Sequence, residues 1–205
     1  TIDSNDGEIR LKNSADFETK NSYNFNVIAT DPDGSKDTEN VTVNVLNSND
    51  EPKITSGSTV SLTENLNNST VFYTATASDQ DASDNLSFSV SGSDSSLITI
   101  DSNNGQIRLK TSADFESKSS YSFKVIVTDN GIGNLSNEKA VTLNIINAND
   151  APIISNSIND VEVNENSNFN YLLNNFFSDP DGNSITLSAK LASGDVLPGW
   201  LTFDA

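Results

Sequence analysis

The chain has 205 residues and carries 29 acidic against 11 basic side chains, a formal net charge of −18. Such a surface excludes nucleic acid and anionic membrane as partners, since both need basic groups. The absence of His and Cys removes the common catalytic bases, thiol nucleophiles, zinc ligands and disulfides together, and leaves the oxygen chemistry of Asp, Asn, Glu and Ser, which suits hard cations and Ca²⁺ above all.

Taken in chain order, the apolar residues alternate with polar ones. Tyr23, Phe25, Val27 and Ala29 share one face, and Val41, Val43 and Val45 follow. After Pro52 come Val60 and Leu62, then Val71, Tyr73 and Ala75, then Leu86, Phe88 and Val90. Asn104-Gly105 stands between Ile98-Thr99-Ile100 and Ile107-Arg108-Leu109 and predicts a hairpin. Tyr121, Phe123, Val125 and Val127, then Val141, Leu143 and Ile145, repeat the first two patterns. A period of two over such lengths predicts half-buried strands, and no segment holds a helical period. About seven strands in about 100 residues predict an all-β, immunoglobulin-like sandwich. At 34% hydrophobic residues its core is thin. No run reaches the roughly 18 apolar residues of a membrane span. The N-terminus has no signal-peptide pattern and no initiator Met, so the chain is expected to be a mature or excised piece.

The sequence repeats. Ile2-Asp3-Ser4-Asn5-Asp6-Gly7-Glu8-Ile9-Arg10-Leu11-Lys12 returns at Ile100–Lys110, Ser14–Glu18 at Ser112–Glu116, and Asn47-Ser48-Asn49-Asp50-Glu51-Pro52 at Asn147–Pro152. Thr63-Glu64-Asn65 is echoed by Asn164-Glu165-Asn166, and Asp79-Gln80-Asp81 by Asp179-Pro180-Asp181. The spacing is 98 to 101 residues, one small domain per period. Boundaries are expected at the Pro-ended polar segments, because Pro stops a central strand. Residues 1–52 are then the C-terminal half of one repeat, 53–152 a complete repeat, and 153–205 the N-terminal half of a third. Half a sandwich exposes an apolar face and open edges. The chain is therefore read as a window on a longer array; the alternative is a fibre subunit in which the last half completes the first half of the next molecule.

The acids recur where strands end and boundaries fall. Asp-x-Glu and Asp-x-Asp pairs on extended backbone aim two carboxylates the same way, and Asn147 and Asn149 add neutral oxygens. Unneutralised, such a group repels itself; Ca²⁺, with its 6–8 oxygen ligands, would relieve that. This order of motifs resembles the cadherin repeat, with Glu64 as the x-Glu-x, Asp114-Phe115-Glu116 as Asp-Arg-Glu, Asn147–Pro152 as the linker, and Asp179-Pro180-Asp181 as Asp-x-Asp. The resemblance implies tandem Greek-key sandwiches of cadherin type and a Ca²⁺ site at the second linker formed by Glu64, Asp114, Glu116, Asn147, Asn149, Asp150, Asp179 and Asp181. The first linker would use Asp16, Glu18, Asn47, Asn49, Asp50, Asp79, Asp81 and Asp129, with Asp31 serving a linker before residue 1. Asn47 and Asn147 stand where the family has Asp, and each linker is one residue shorter before Pro, which implies weaker affinity. Leu197-Pro198-Gly199-Trp200-Leu201-Thr202-Phe203-Asp204 resembles the dystroglycan-type cadherin-like variant of large bacterial surface proteins.

The function expected from these motifs is a calcium-rigidified extracellular array, secreted or on the cell surface, acting as adhesin, stalk or spacer. Its partners would be neighbouring repeats of the same chain or identical chains, and a cell-surface protein or glycan, with no direct membrane insertion. Enzyme activity is not expected: paired carboxylates need a cleft for glycoside chemistry, and no Ser–Lys arrangement stands out. A glycan-binding accessory module is the alternative of another class. Its aromatic candidates, Tyr73, Tyr121 and Trp200, are expected in the core.

Overall fold

The computed structural model describes residues 2–3 and 6–203; Thr1, Ser4, Asn5 and Asp204 of the repeated motifs lie outside the described residues. The first strands are β1 (Ser22–Thr30) and β2 (Lys36–Asn44), an antiparallel pair in which Phe25 faces Val41. Before them, Ile2 bridges Ile9.

The middle repeat begins with β3 (Lys53–Ile54) and β4 (Thr59–Thr63), followed by β5 (Tyr73–Thr74) and β6 (Ala77–Ser78). Next come β7 (Ser87–Ser91), a 3₁₀ turn at Ser95–Leu97, β8 (Ile98–Ile100) and β9 (Gln106–Leu109). The long strands β10 (Ser120–Thr128) and β11 (Ser136–Ile146) close it. One face is β4-β11-β10-β7; the other is β5-β9-β8 with the β3-β6 pair. Counting β3 with β4 and β5 with β6 as interrupted strands gives the expected seven. The chain crosses between faces at residues 55–58, so β3 pairs antiparallel with β6 while β4 runs parallel to β11.

The core lies between the faces and follows the alternation. Phe123, Val125 and Val127 of β10 meet Val141, Leu143 and Ile145 of β11 and Ile107 of β9, all buried. Two expectations need correcting. Val71 is exposed and Phe72 is buried in its place, because Phe72 donates its N–H to Ile107 O and sets its ring edge-on to Phe123, centroids 6.2 Å apart. Trp200 is 82% exposed rather than in a core: residues 186–203 form no strand, and nothing packs over the ring as β8 and β9 pack over β10. Tyr73 and Tyr121 are buried, as expected.

The hairpin at Asn104-Gly105 forms, with Ile98 opposite Leu109 and Ile100 opposite Ile107. Gly105 is needed there. Its φ is +68°, and a Cβ would sit 2.3 Å from the carbonyl oxygen of Ala75. The segments on either side copy the middle. Ile2 opposite Ile9 repeats Ile100 opposite Ile107. In the last segment β12 (Ile153–Ile154) pairs with β13 (Phe177–Ser178), as β3 pairs with β6. Tyr23, Phe25 and Val27 are only half-buried, whereas their counterparts on β10 are covered by the second face.

Candidate metal centres

Both Pro-ended segments tie the unit before them to the unit after by the same bond. Asp50 donates its N–H to Asp81 Oδ2 at 2.7 Å, and Asp150 donates to Asp181 Oδ2 at 2.7 Å. Each Asp-x-Asp pair is folded alike, since Asp81 N–H reaches Asp79 Oδ1 at 2.9 Å and Asp181 N–H reaches Asp179 Oδ1 at 3.0 Å. An i to i+2 bond of this kind turns the extended backbone so that both carboxylates address the linker.

At the second linker, one carboxylate oxygen from each of Glu64, Glu116 and Asp150 lies within 4.8 Å of the others. Glu64 is only 2% exposed. It is held by the N–H groups of Phe115 at 2.6 Å and Ala148 at 2.8 Å, which lock it between the β9–β10 loop and the segment after β11. Asn65, at φ 61°, turns the chain after β4 and donates to Asp150 Oδ1. Withdrawal from water, then the charges of Glu64, Asp181 and Asp150, push the Glu116 carboxyl above its ordinary range. Asn147 donates to Glu116 Oε1, and Asn149 accepts from Asn183. Asp114 stands apart: both its oxygens accept from Ser117, which lowers its pKa.

At the first linker the gathered set is Asp79, Asp84 and Asp129, again with oxygens within 4.8 Å of one another. Asp129, at the end of β10, accepts the N–H groups of Gly131 and Leu135 at 3.0 Å on one oxygen and the Asn49 amide at 3.0 Å on the other. Asp81 accepts from Asn47 at 2.7 Å; the Asp50 bond chiefly, then that of Asn47, hold its carboxyl below the usual range. Glu18 neighbours Asp81, and Asp16 is tied to Thr19 as Asp114 is to Ser117. Asp31 accepts the Ser35 N–H and touches neither linker set.

Sequence reading passed over Asp84. The repeat register hides it, because the corresponding position after Asp179-Pro180-Asp181 is Ser184. Burial, then the charges of Asp81, Asp129 and Asp79, push its carboxyl upward. The oxygens Oδ2 of Asp79 and Oδ2 of Asp84 are buried with no donor. Among the described residues the ion pairs are Arg10–Glu8, Lys118–Asp94 and Lys124–Glu138, none of them in a linker. Carboxylates without basic partners, oriented by backbone N–H groups and supplemented by Asn oxygens, are a donor set that fits a hard divalent cation.

The Cadherin domain family model matches residues 58–146, and an Ig domain family model matches residues 151–205. Human Protocadherin-1 is 34% identical over 161 residues, 76% of this chain but 15% of that protein. Human Protocadherin Fat 4 is 30% identical over 179 residues, 82% of this chain and 4% of its own length. The chain thus spans a small part of these relatives. Among solved structures, mouse Cadherin-23 EC22–24 superposes with a TM-score of 0.57 at 25% identity, over 72% of this chain and 49% of that one. Human CDH23 EC21–23 superposes at 0.62 and 22% identity, over 87% and 60%. No helix among the described residues is long and apolar enough to cross a membrane. The chain is a run of extracellular cadherin-like repeats built on an immunoglobulin-like sandwich.

Proposed function

We propose that this chain is a segment of a calcium-rigidified adhesive or spacer array, with Ca²⁺ bound where one repeat meets the next. The observation that carries the reading is the duplicated linker. Each ties an Asp-x-Asp carboxylate of the unit after to the Asp N–H of the unit before, sets that carboxylate near a Glu of the unit before, and adjoins three gathered carboxylates with no ion pair among them. Without Ca²⁺ the carboxylates repel and the linkers flex; Ca²⁺ joins the units and stiffens the rod, and it stabilises the folded form by mass action. Asp81 and Asp181, from the units after each linker, would share ions with Glu18 and Glu116 from the units before. Asp16, Asn47, Asn49, Asp50, Asp79 and Asp129 complete the first set, and Glu64, Asp114, Asn147, Asn149, Asp150 and Asp179 the second.

On this reading the units are residues 1–52, 53–152 and 153–205. The module links and spaces and carries no catalysis. Its partners are neighbouring repeats or identical chains, and beyond them a cell-surface protein or glycan. The segment Leu197–Phe203 supports a dystroglycan-type variant for the last unit and a bacterial surface protein as the parent, whereas the relatives named above are animal proteins. Calorimetric titration of the 205-residue chain with CaCl₂ tests the linker reading. We expect saturable uptake, with the second-linker sites lost in Glu116→Ala and in Asp181→Ala while the first-linker sites persist. No uptake, with no change in melting temperature, overturns it.

A further inference from the structure

The two linkers are not equivalent, and they differ at Asp84. Asp84 follows the Asp-x-Asp pair of the middle unit, and its N–H donates to Asp81 O at 2.9 Å, which curls the loop back over the pair. Its Oδ2 is buried, as is Oδ2 of Asp79, and neither oxygen receives a hydrogen bond. A buried acceptor without a partner destabilises the fold, and more so when charged. Two such carboxylates, each with an oxygen within 4.8 Å of the other's and of one from Asp129, call for a cation. Gly131 borders this group from the β10–β11 loop. A Cβ there would lie 1.8 Å from Asn49 Oδ1 and 2.5 Å from Asp84 Oδ2, so any side chain would enter the space between the oxygens. The second linker has Ser184 at the position of Asp84.

We infer that Asp84 is a direct ligand of the divalent cation at the first linker, supplying one carboxylate more than the cadherin-like motifs provide, and that this linker therefore binds Ca²⁺ more tightly than the second. The inference rests on the linker reading above. Ligand charge count sets affinity in oxygen sites over several decades, so one carboxylate changes Kd by about tenfold or more. Gly131 acts as the spacing residue that leaves the position open.

The experiment is CaCl₂ titration by calorimetry of the intact 205-residue chain, its Asp84→Asn and Asp84→Ser variants, and Gly131→Ala, each first melted in chelator. Asp84→Ser copies the second linker. We expect the tighter class of sites to weaken about tenfold or more in both Asp84 variants, and the class removed by Asp181→Ala to stay unchanged. In chelator the Asp84 variants should melt no lower than the parent, since they remove a charge that its acidic neighbours repel. Their gain in melting temperature on adding Ca²⁺ should be smaller. Isotherms that superimpose on the parent's overturn the role of Asp84 and leave the linker reading standing. A parent chain that takes up no Ca²⁺ overturns both.

Discussion

Asp94 and Asp84 are both acids withdrawn from water, and their surroundings push them in opposite directions. Asp94 accepts the Ser122 N–H at 2.7 Å and pairs with Lys118 at 3.1 Å, and the Ser122 bond chiefly lowers its pKa. Because the folded value lies below the ordinary value of about 3.9, its stabilisation is present above that pH and is lost as pH falls through the lowered value. Asp94→Ala removes the acceptor of the exposed Ser122 N–H, which water can replace, and should cost about 0.5–1.5 kcal/mol at pH 7. Denaturant melts of both proteins should converge as the solution is acidified toward pH 2. Asp84 has no such donor on Oδ2, so the fold itself does not stabilise its charge. The sequence made the linker acids legible only where they repeat. Asp79, Asp81, Asp179 and Asp181 are legible through their shared register, whereas Asp84 has Ser184 at its matching position and joins the others only when the β6–β7 loop folds back and Gly131 of the β10–β11 loop meets it.

Strands long enough to show a period could be read from the chain. β10 alternates exposed and buried from Ser120 to Val125, and its apolar residues fill the core. Phe123→Ala should cost about 3–5 kcal/mol, measured by chemical unfolding in chelator, because a ring 1% exposed and packed on Phe72 leaves a cavity. Gly105→Ala should cost more than about 1 kcal/mol, since the turn must abandon a positive φ and move off Ala75. Two-residue strands such as β3, β5 and β6 carry no period, so the interruptions that split them could not be read. At Val71-Phe72-Tyr73 the alternation slips, and the larger ring takes the inner place because Phe123 offers it an edge-on contact. Trp200 escaped prediction for another reason. Whether an apolar residue is buried depends on what faces it, and residues 186–203 have no strand to face.

At the scale of the whole molecule the net charge of −18 dominates. In chelator, raising the ionic strength from about 0.01 M to about 0.15 M should raise the melting temperature, because screening shortens from about 30 Å to about 8 Å. Ca²⁺ should do more, raising the melting temperature at fixed ionic strength and increasing the radius of gyration in small-angle scattering as the linkers stiffen. If only screening mattered, MgCl₂ and CaCl₂ at equal ionic strength would act alike. Mg²⁺ holds its waters and demands octahedral geometry, so it should replace Ca²⁺ poorly in sites built from several protein oxygens. The parallel pairing of β4 with β11 matters here in a different sense, that of force. Thr59–Thr63 lies near the entry of the middle repeat and Thr142–Ile146 at its exit, side by side and pointing the same way. Tension applied through the two linkers pulls these strands past each other along their length. The rungs between them are then loaded together in shear instead of one after another, as they would be in a peeled hairpin. Pulling on single molecules should show the middle repeat yielding at one high-force event, at a rate set by the unfolding barrier and not by equilibrium stability.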